Sequence, residues 1–328
     1  MATTAQVQSL IKAHYDHDEV RFKTVALQIA ASEARQGHPK SSRDISAIVE
    51  KGPRSSQVIS LANKDDLFHI EDAQVGLSDL ILSDELNAKI ERILDEWQNR
   101  DKLSAYGLAS RKKILLAGPP GTGKTMTASV IAHELGMPLY VVRLDKLITK
   151  YLGETSARLR QIFDVIGNYL GVYLFDEFDA IGADRNLDNE VGEMRRILNT
   201  FLQFIEENKS ESIIIAATNN EALLDKALFR RFDDVLHYDL PDTSQVQRLI
   251  ASRMGRFAPN YTASEETLTS LARLSQSEIS RVCEDAIKQA ILDGGNITDD
   301  VLISLGEDRF ALYQEESHGN ETMGRKAV

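Results

Sequence analysis

A chain of 328 residues, with 42 % hydrophobic and 27 % charged residues, can form two or three domains burying roughly 75 % of the surface an unfolded chain exposes, which excludes a disordered or fibrous class. Its 38 basic and 50 acidic residues leave a net charge of −12 without any Lys/Arg-rich block, which argues against nucleic acid as a main partner. Cys283 is the only cysteine, so an intrachain disulfide and a cysteine-based zinc site are excluded, and the residue is expected to be a small buried hydrophobe.

No apolar run approaches the ~20 residues of a membrane span, and "MATTAQVQSL" lacks the basic start and apolar centre of a signal peptide. A cytoplasmic protein is expected. Residues 1–52 read as a helical module of three short helices: Val7, Leu10, Ile11 and His14 fall at helical spacing, as do Phe22, Val25, Ala26 and Ile29. Gly37, His38 and Pro39 stop the second pattern, and "SSRDISAIVE" begins with serines suited to capping a third. Residues 53–75 are polar and irregular and read as a linker.

From residue 76 to 241 strands and helices alternate. "KILLAG", "LYVVRL", "VYLFD" and "SIIIAAT" are short, nearly continuous apolar runs separated by helix-length segments, the pattern of buried parallel strands. The expected fold class is α/β, a doubly wound parallel sheet with helices on both faces. A small helical domain is expected over 242–313 and a polar tail over 314–328.

The chemistry gathers in four places. Gly118, Pro119, Pro120, Gly121, Thr122, Gly123, Lys124 and Thr125 match the P-loop pattern after a strand and before a helix, with Met126 next in line. Glycines let backbone N–H groups approach phosphate oxygens, the helix N-terminus adds partial positive charge, and Lys124 can meet the β- and γ-phosphates while the Thr125 hydroxyl ligates Mg²⁺. In "VYLFDEFDAIG", Asp176 ends a buried strand where it can hold Mg²⁺, and Glu177 can accept a proton from an attacking water. Asp179 follows as either a site-edge residue or a helix cap. "IIIAATNN" ends another strand with Asn219, which can bond the water or the γ-phosphate, Thr218 being the alternative. In "LFRRFDD", Arg230 and Arg231 either offset transition-state charge on the γ-phosphate or form a surface patch with Asp233 and Asp234.

"GPPGTGKT", "LFDEFD", "AATNN" and "RRFDD", in this order and spacing, resemble the AAA family of ATPases over about Leu77 to Ile291, and especially its spastin- and katanin-like and bacterial SpoVK-type members. The resemblance implies ATP hydrolysis with Mg²⁺ in a homo-oligomeric ring, usually a hexamer. It also implies Arg230 and Arg231 acting on the neighbouring subunit's nucleotide and Asn219 as sensor 1. "SQSEISRVCEDAIKQAI" resembles the sensor 2 helix, with Ser277 at a position where small residues are common and Arg281 one turn later. "LSDLILSDEL" resembles the stretch that meets adenine through its backbone, although family members commonly carry glycine where Leu82 stands.

In the family, the position of "KYLGE" is a pore loop that grips polypeptide. Tyr151, Leu152 and Gly153 are therefore expected to line a central pore and touch a protein substrate, the alternative being that Tyr151 packs locally as a helix-start staple. The function expected is remodelling, unfolding or threading of proteins. Two alternatives are a nucleotide-dependent regulator of a separate effector, such as a subtilisin-like peptidase, and a DNA-associated ATPase. Neither HExxH nor Gly-x-Ser-x-Gly occurs in the chain, and the net acidity weighs against DNA.

Overall fold

The computed structural model describes residues 25, 26, 29, 30, 67–147, 152–179, 190–221 and 229–324. The chain divides into two compact units, Met1–Lys64 and Asp65–Val328. In the first, Val25, Ala26, Ile29 and Ala30 are helical, with Val25, Ala26 and Ala30 buried, in line with one face of the second expected helix. The rest of the expected N-terminal module lies outside the described residues.

The second unit is built on a six-stranded sheet of β1 (Phe68–Glu71), β2 (Lys113–Ala117), β3 (Leu139–Val142), β4 (Val172–Phe175), β5 (Ile213–Thr218) and β6 (Asp234–His237), in the order β1-β3-β4-β5-β2-β6. Strands β2 to β6 pair in parallel, and β1 runs antiparallel along β3, with Phe68 opposite Val142. The apolar runs are continuous because both faces are covered. Ile114 and Leu116, with Val172 and Leu174, point into one core, where they meet Ile90 and Ile93 of α1 (Asp84–Gln98) and Ile131 of α3 (Lys124–Glu134). Leu115, Tyr173 and Phe175 point into the other, against Phe163 of α5 (Leu152–Asn168) and Phe201 of α6 (Glu190–Glu207). The short helix α2 (Arg100–Ala105) follows α1, and α4 (Leu144–Leu147) adds Leu144 and Leu147 to the second core.

Beyond β6 the chain forms a helical subdomain from α7 (Thr243–Met254), α8 (Glu265–Leu271), α9 (Gln276–Asp293) and α10 (Asp299–Gly324), around a core that includes Val246, Leu271, Val282 and Cys283. Asp242, Ser264 and Ser275 cap the first three, each accepting a hydrogen bond from the backbone N–H three residues on. Cys283 is fully buried, as expected, and burial pushes its thiol up to about 12.

Three expectations change. Phe68–Glu71, placed in the linker, is an edge strand; only Phe68 of its four residues is buried, so it carries no alternating pattern. Strand β6 was hidden in the polar "RRFDDVLHYD" stretch. The segment 314–324, expected to be tail, continues α10: no proline interrupts it, and polarity alone does not end a helix.

Candidate active site

The turn after β2 wraps into a cradle because its glycines adopt conformations other residues resist. Gly118 has φ 152°, and a Cβ there would lie 2.2 Å from the Tyr238 carbonyl oxygen. Gly123, at φ 99°, is left-handed and caps α3. The buried Thr122 hydroxyl donates to the Pro119 carbonyl at 2.8 Å, bracing the loop from within. Lys124 is 6 % exposed, and its ammonium donates to the carbonyls of Gly118 (2.8 Å) and Pro119 (2.7 Å). Burial holds its pKa down at about 8, and the charges of Asp176 and Asp179 pull it back up. A phosphate in the cradle would give this cation a stronger partner than two neutral carbonyls.

Parallel strands place the acids beside that cradle. Asp176, just past β4, accepts a hydrogen bond from the Thr125 hydroxyl at 2.7 Å across 51 residues of sequence. Among the described residues no cluster of three His, Cys, Asp or Glu side chains could hold a metal. A hydroxyl and a carboxylate beside a phosphate cradle nevertheless fit Mg²⁺, which keeps several waters and takes remaining oxygens from phosphate. Glu177 follows with φ 51°, the only positive value at a non-glycine among the described residues. Its N–H donates to Asp176 Oδ1 at 2.9 Å. The Asn219 backbone N–H donates to Asp179 Oδ1 at 3.3 Å, so Asp179 ties the ends of β4 and β5 together. Thr218 is buried and caps the Asn220 N–H, whereas Asn219 is exposed and lines the cleft.

These groups meet in one cleft of about 490 Å³, lined by Pro120 to Met126, Asp176, Glu177 and Asn219. The opposite wall comes from Leu80–Leu82 and from the helical subdomain, through Leu249, Ser252 and Arg253 of α7 and Gln276, Ser277 and Ser280 of α9. The subdomain is therefore a lid. It is seated on the cradle itself: the Ser277 N–H donates to the Gly121 carbonyl at 3.0 Å.

Arg253 was not legible as a site residue, and Gln276 and Ser280 only as members of the segment that resembles the sensor 2 helix. They lie more than 120 residues beyond the P-loop in ordinary amphipathic helices, and only the packing of α7 on α9 turns them toward it. Arg281, by contrast, pairs with Glu278 at 3.0 Å with its side chain 58 % exposed, and does not line the cleft. Arg230 and Arg231 are exposed and also lie outside the lining; Arg231 pairs with Glu206 of α6. They form no patch with the two aspartates among the described contacts: Asp233 accepts from the N–H groups of Lys112 and Lys113, and Asp234 lies 3.5 Å from Arg111. Tyr151 is outside the described residues, and Leu152 and Gly153 open α5.

A triphosphate-sized cleft at the carboxyl ends of parallel strands, roofed by a helical lid, defines a P-loop ATPase. Residues 114–240 match the model of the ATPase family associated with various cellular activities (AAA). An uncharacterized AAA family ATPase, y4kL, of Sinorhizobium fredii is 33 % identical over 297 residues, which are 88 % of this chain and 89 % of that protein. A putative 26S proteasome regulatory subunit homolog of Methanothermobacter thermautotrophicus is 28 % identical over 245 residues, 73 % of this chain but 65 % of its own length. In fold, the crystal structure of the FIGL-1 AAA domain matches with a TM-score of 0.58 at 21 % identity, over 80 % of this chain and 95 % of that one. The chain belongs to the AAA family and is an ATPase. Among the described residues no helix is long and apolar enough to cross a membrane.

Proposed function

We propose that this ATPase works as a hexameric ring of identical subunits that grips and remodels or threads protein chains in the cytoplasm. In each subunit Lys124 and the cradle bind the β- and γ-phosphates, and Glu177 takes a proton from the attacking water while Asn219 orients it. A magnesium ion held by Thr125 and Asp176 would neutralise charge on the phosphate oxygens. Arg230 and Arg231 face the nucleotide of the next subunit.

The observation that carries the mechanical part is a shared core. Leu152 and Gly153 open α5, and Phe163 of that helix stacks at 6.1 Å on Phe175, which adjoins Asp176. Phe175 and Phe178 flank the Asp176-Glu177 pair, are both fully buried, and pack on Phe201 of α6. A close-packed interior transmits displacement, so a shift of the acids as phosphate leaves reaches the start of α5 at Leu152 and Gly153. An aromatic-aliphatic pair suits sequence-tolerant grip, because apolar contact is non-directional.

The test uses a fluorescent reporter protein with an unstructured tail. Tyr151→Ala is expected to keep ATP hydrolysis within about twofold, since the proposal gives Tyr151 a role in grip and none in the chemistry, and to lose ATP-dependent unfolding of the reporter. Unfolding at the unsubstituted rate would remove the threading assignment.

A further inference from the structure

We propose that Gln276 reads the ribose of the bound nucleotide, accepting a hydrogen bond from a sugar hydroxyl at its side-chain carbonyl oxygen. Gln276 lines the cleft from the first turn of α9, and its Oε1 is buried with no hydrogen-bond partner among the described residues. A buried acceptor without a donor is unfavourable, and native proteins nearly always supply one from protein, water or ligand.

The backbone that carries this side chain is fixed on three sides. The Gln276 carbonyl accepts from the Ser280 hydroxyl at 2.8 Å, and Ser280 Oγ accepts from Arg253 Nε at 3.2 Å, binding α9 to α7. One residue on, the Ser277 N–H holds the Gly121 carbonyl. The orphan acceptor is thus held in register with the phosphate cradle rather than carried on a loose lid.

Position selects the ligand group. Phosphate oxygens carry no proton to donate at neutral pH when bound to a cation, so the triphosphate cannot satisfy Oε1. The apolar part of the cleft, from Leu80, Leu82 and Leu249, suits the base. Gln276 is adjacent to the residue that touches the cradle, and the sugar is the part of a nucleotide bonded directly to the phosphate chain. Its hydroxyls are donors at that height.

This inference rests on the cleft's being the nucleotide site, and the experiment separates the two. With the full chain, affinities are measured for ATP, 2′-deoxy-ATP, 3′-deoxy-ATP and a purine-riboside triphosphate lacking the 6-amino group. The unsubstituted protein is expected to prefer ATP over one deoxy analogue by about fivefold to tenfold, the scale of one hydrogen bond. Gln276→Leu is expected to bring that ratio to about one while leaving the deoxy analogue's affinity little changed. Gln276→Glu retains an acceptor and is expected to keep the preference, even as its charge weakens all four ligands together. An unchanged ratio in Gln276→Leu, loss of the ratio in Gln276→Glu, or an effect confined to the ligand lacking the amino group would each overturn the assignment. Lys124→Ala is the control: retained ATP binding there would refute the cleft itself, whereas its loss beside an unchanged Gln276→Leu ratio refutes only the ribose contact.

Discussion

Glu177 sits in a backbone conformation that costs a non-glycine residue on the order of 1–2 kcal/mol, and the surroundings impose it. The Phe178 N–H donates to the Ala217 carbonyl at 2.8 Å, Asp176 holds the Glu177 N–H, and the two flanking phenylalanines are locked in the core. The result is a carboxylate presented to the cleft without side-chain packing of its own. Glu177→Gln keeps the shape and removes the proposed base, so ATP affinity is expected to stay unchanged while phosphate release slows by about 10²- to 10⁴-fold. Normal turnover would overturn the role. Cys283 marks the opposite extreme. Its folded pKa of about 12 lies above the ~8.5 of a free thiol, so the folded chain keeps a proton that the unfolded chain gives up. Its contribution to stability is whole below about pH 8.5 and declines as pH rises toward 12. Iodoacetamide should therefore label the native protein slowly up to pH 10 and quickly only in denaturant, as followed by mass spectrometry; brisk native labelling at pH 9 would contradict the burial.

At the scale of elements, the joint between P-loop and lid leaves no room for a side chain at Gly121. Gly121 has φ 75°, and a Cβ there would approach Ser275 Oγ to 2.5 Å and Ser277 Cβ to 3.0 Å. Ser275 is the cap of α9 and is buried, so it cannot swing aside without loosening the helix start. Gly121→Ala is expected to leave the sheet folded, lift the lid from the cradle and weaken ATP binding at least about tenfold, combining αL strain with steric displacement. Titration with a fluorescent ATP analogue, beside an unchanged far-ultraviolet circular dichroism spectrum, checks both halves. The same joint explains what could be read beforehand. The P-loop and the strand-end acids are legible because strand, turn and helix chemistry are contiguous in sequence, with Ala117 closing β2 and Lys124 opening α3. Phe68–Glu71 was not, since an edge strand buried at one residue has neither continuous apolarity nor alternation. Arg253 was not, and Gln276 only as a member of the segment that resembles the sensor 2 helix, since what these side chains meet depends on the lid's docking on the P-loop.

At the scale of the whole molecule, one subunit holds a cleft that contains the cradle and acids but not Arg230 or Arg231. Those two arginines are exposed just ahead of β6, with Arg231 steadied by Glu206 on α6, the helix that shares a core with the Asp176 strand. A heterologous, head-to-tail contact that closes into a ring would put this corner against the next cleft. The proposal makes Lys124 and the arginines work on different subunits at each catalytic interface. Lys124→Ala alone is expected to remove nucleotide binding, and the double variant Arg230→Ala/Arg231→Ala to bind ATP yet lose about 10³- to 10⁵-fold in turnover. Mixed in equal amounts, the two inactive proteins form some interfaces with an intact cradle from one and intact arginines from the other. With random assembly these are about a quarter of all interfaces, so about a quarter of unsubstituted activity should return. Phosphate release from the mixture measures this, and differently tagged subunits recovered together show that mixed rings form. Arginines acting within their own subunit would leave mixed rings as inactive as either parent, and that result would sink the arrangement across subunits.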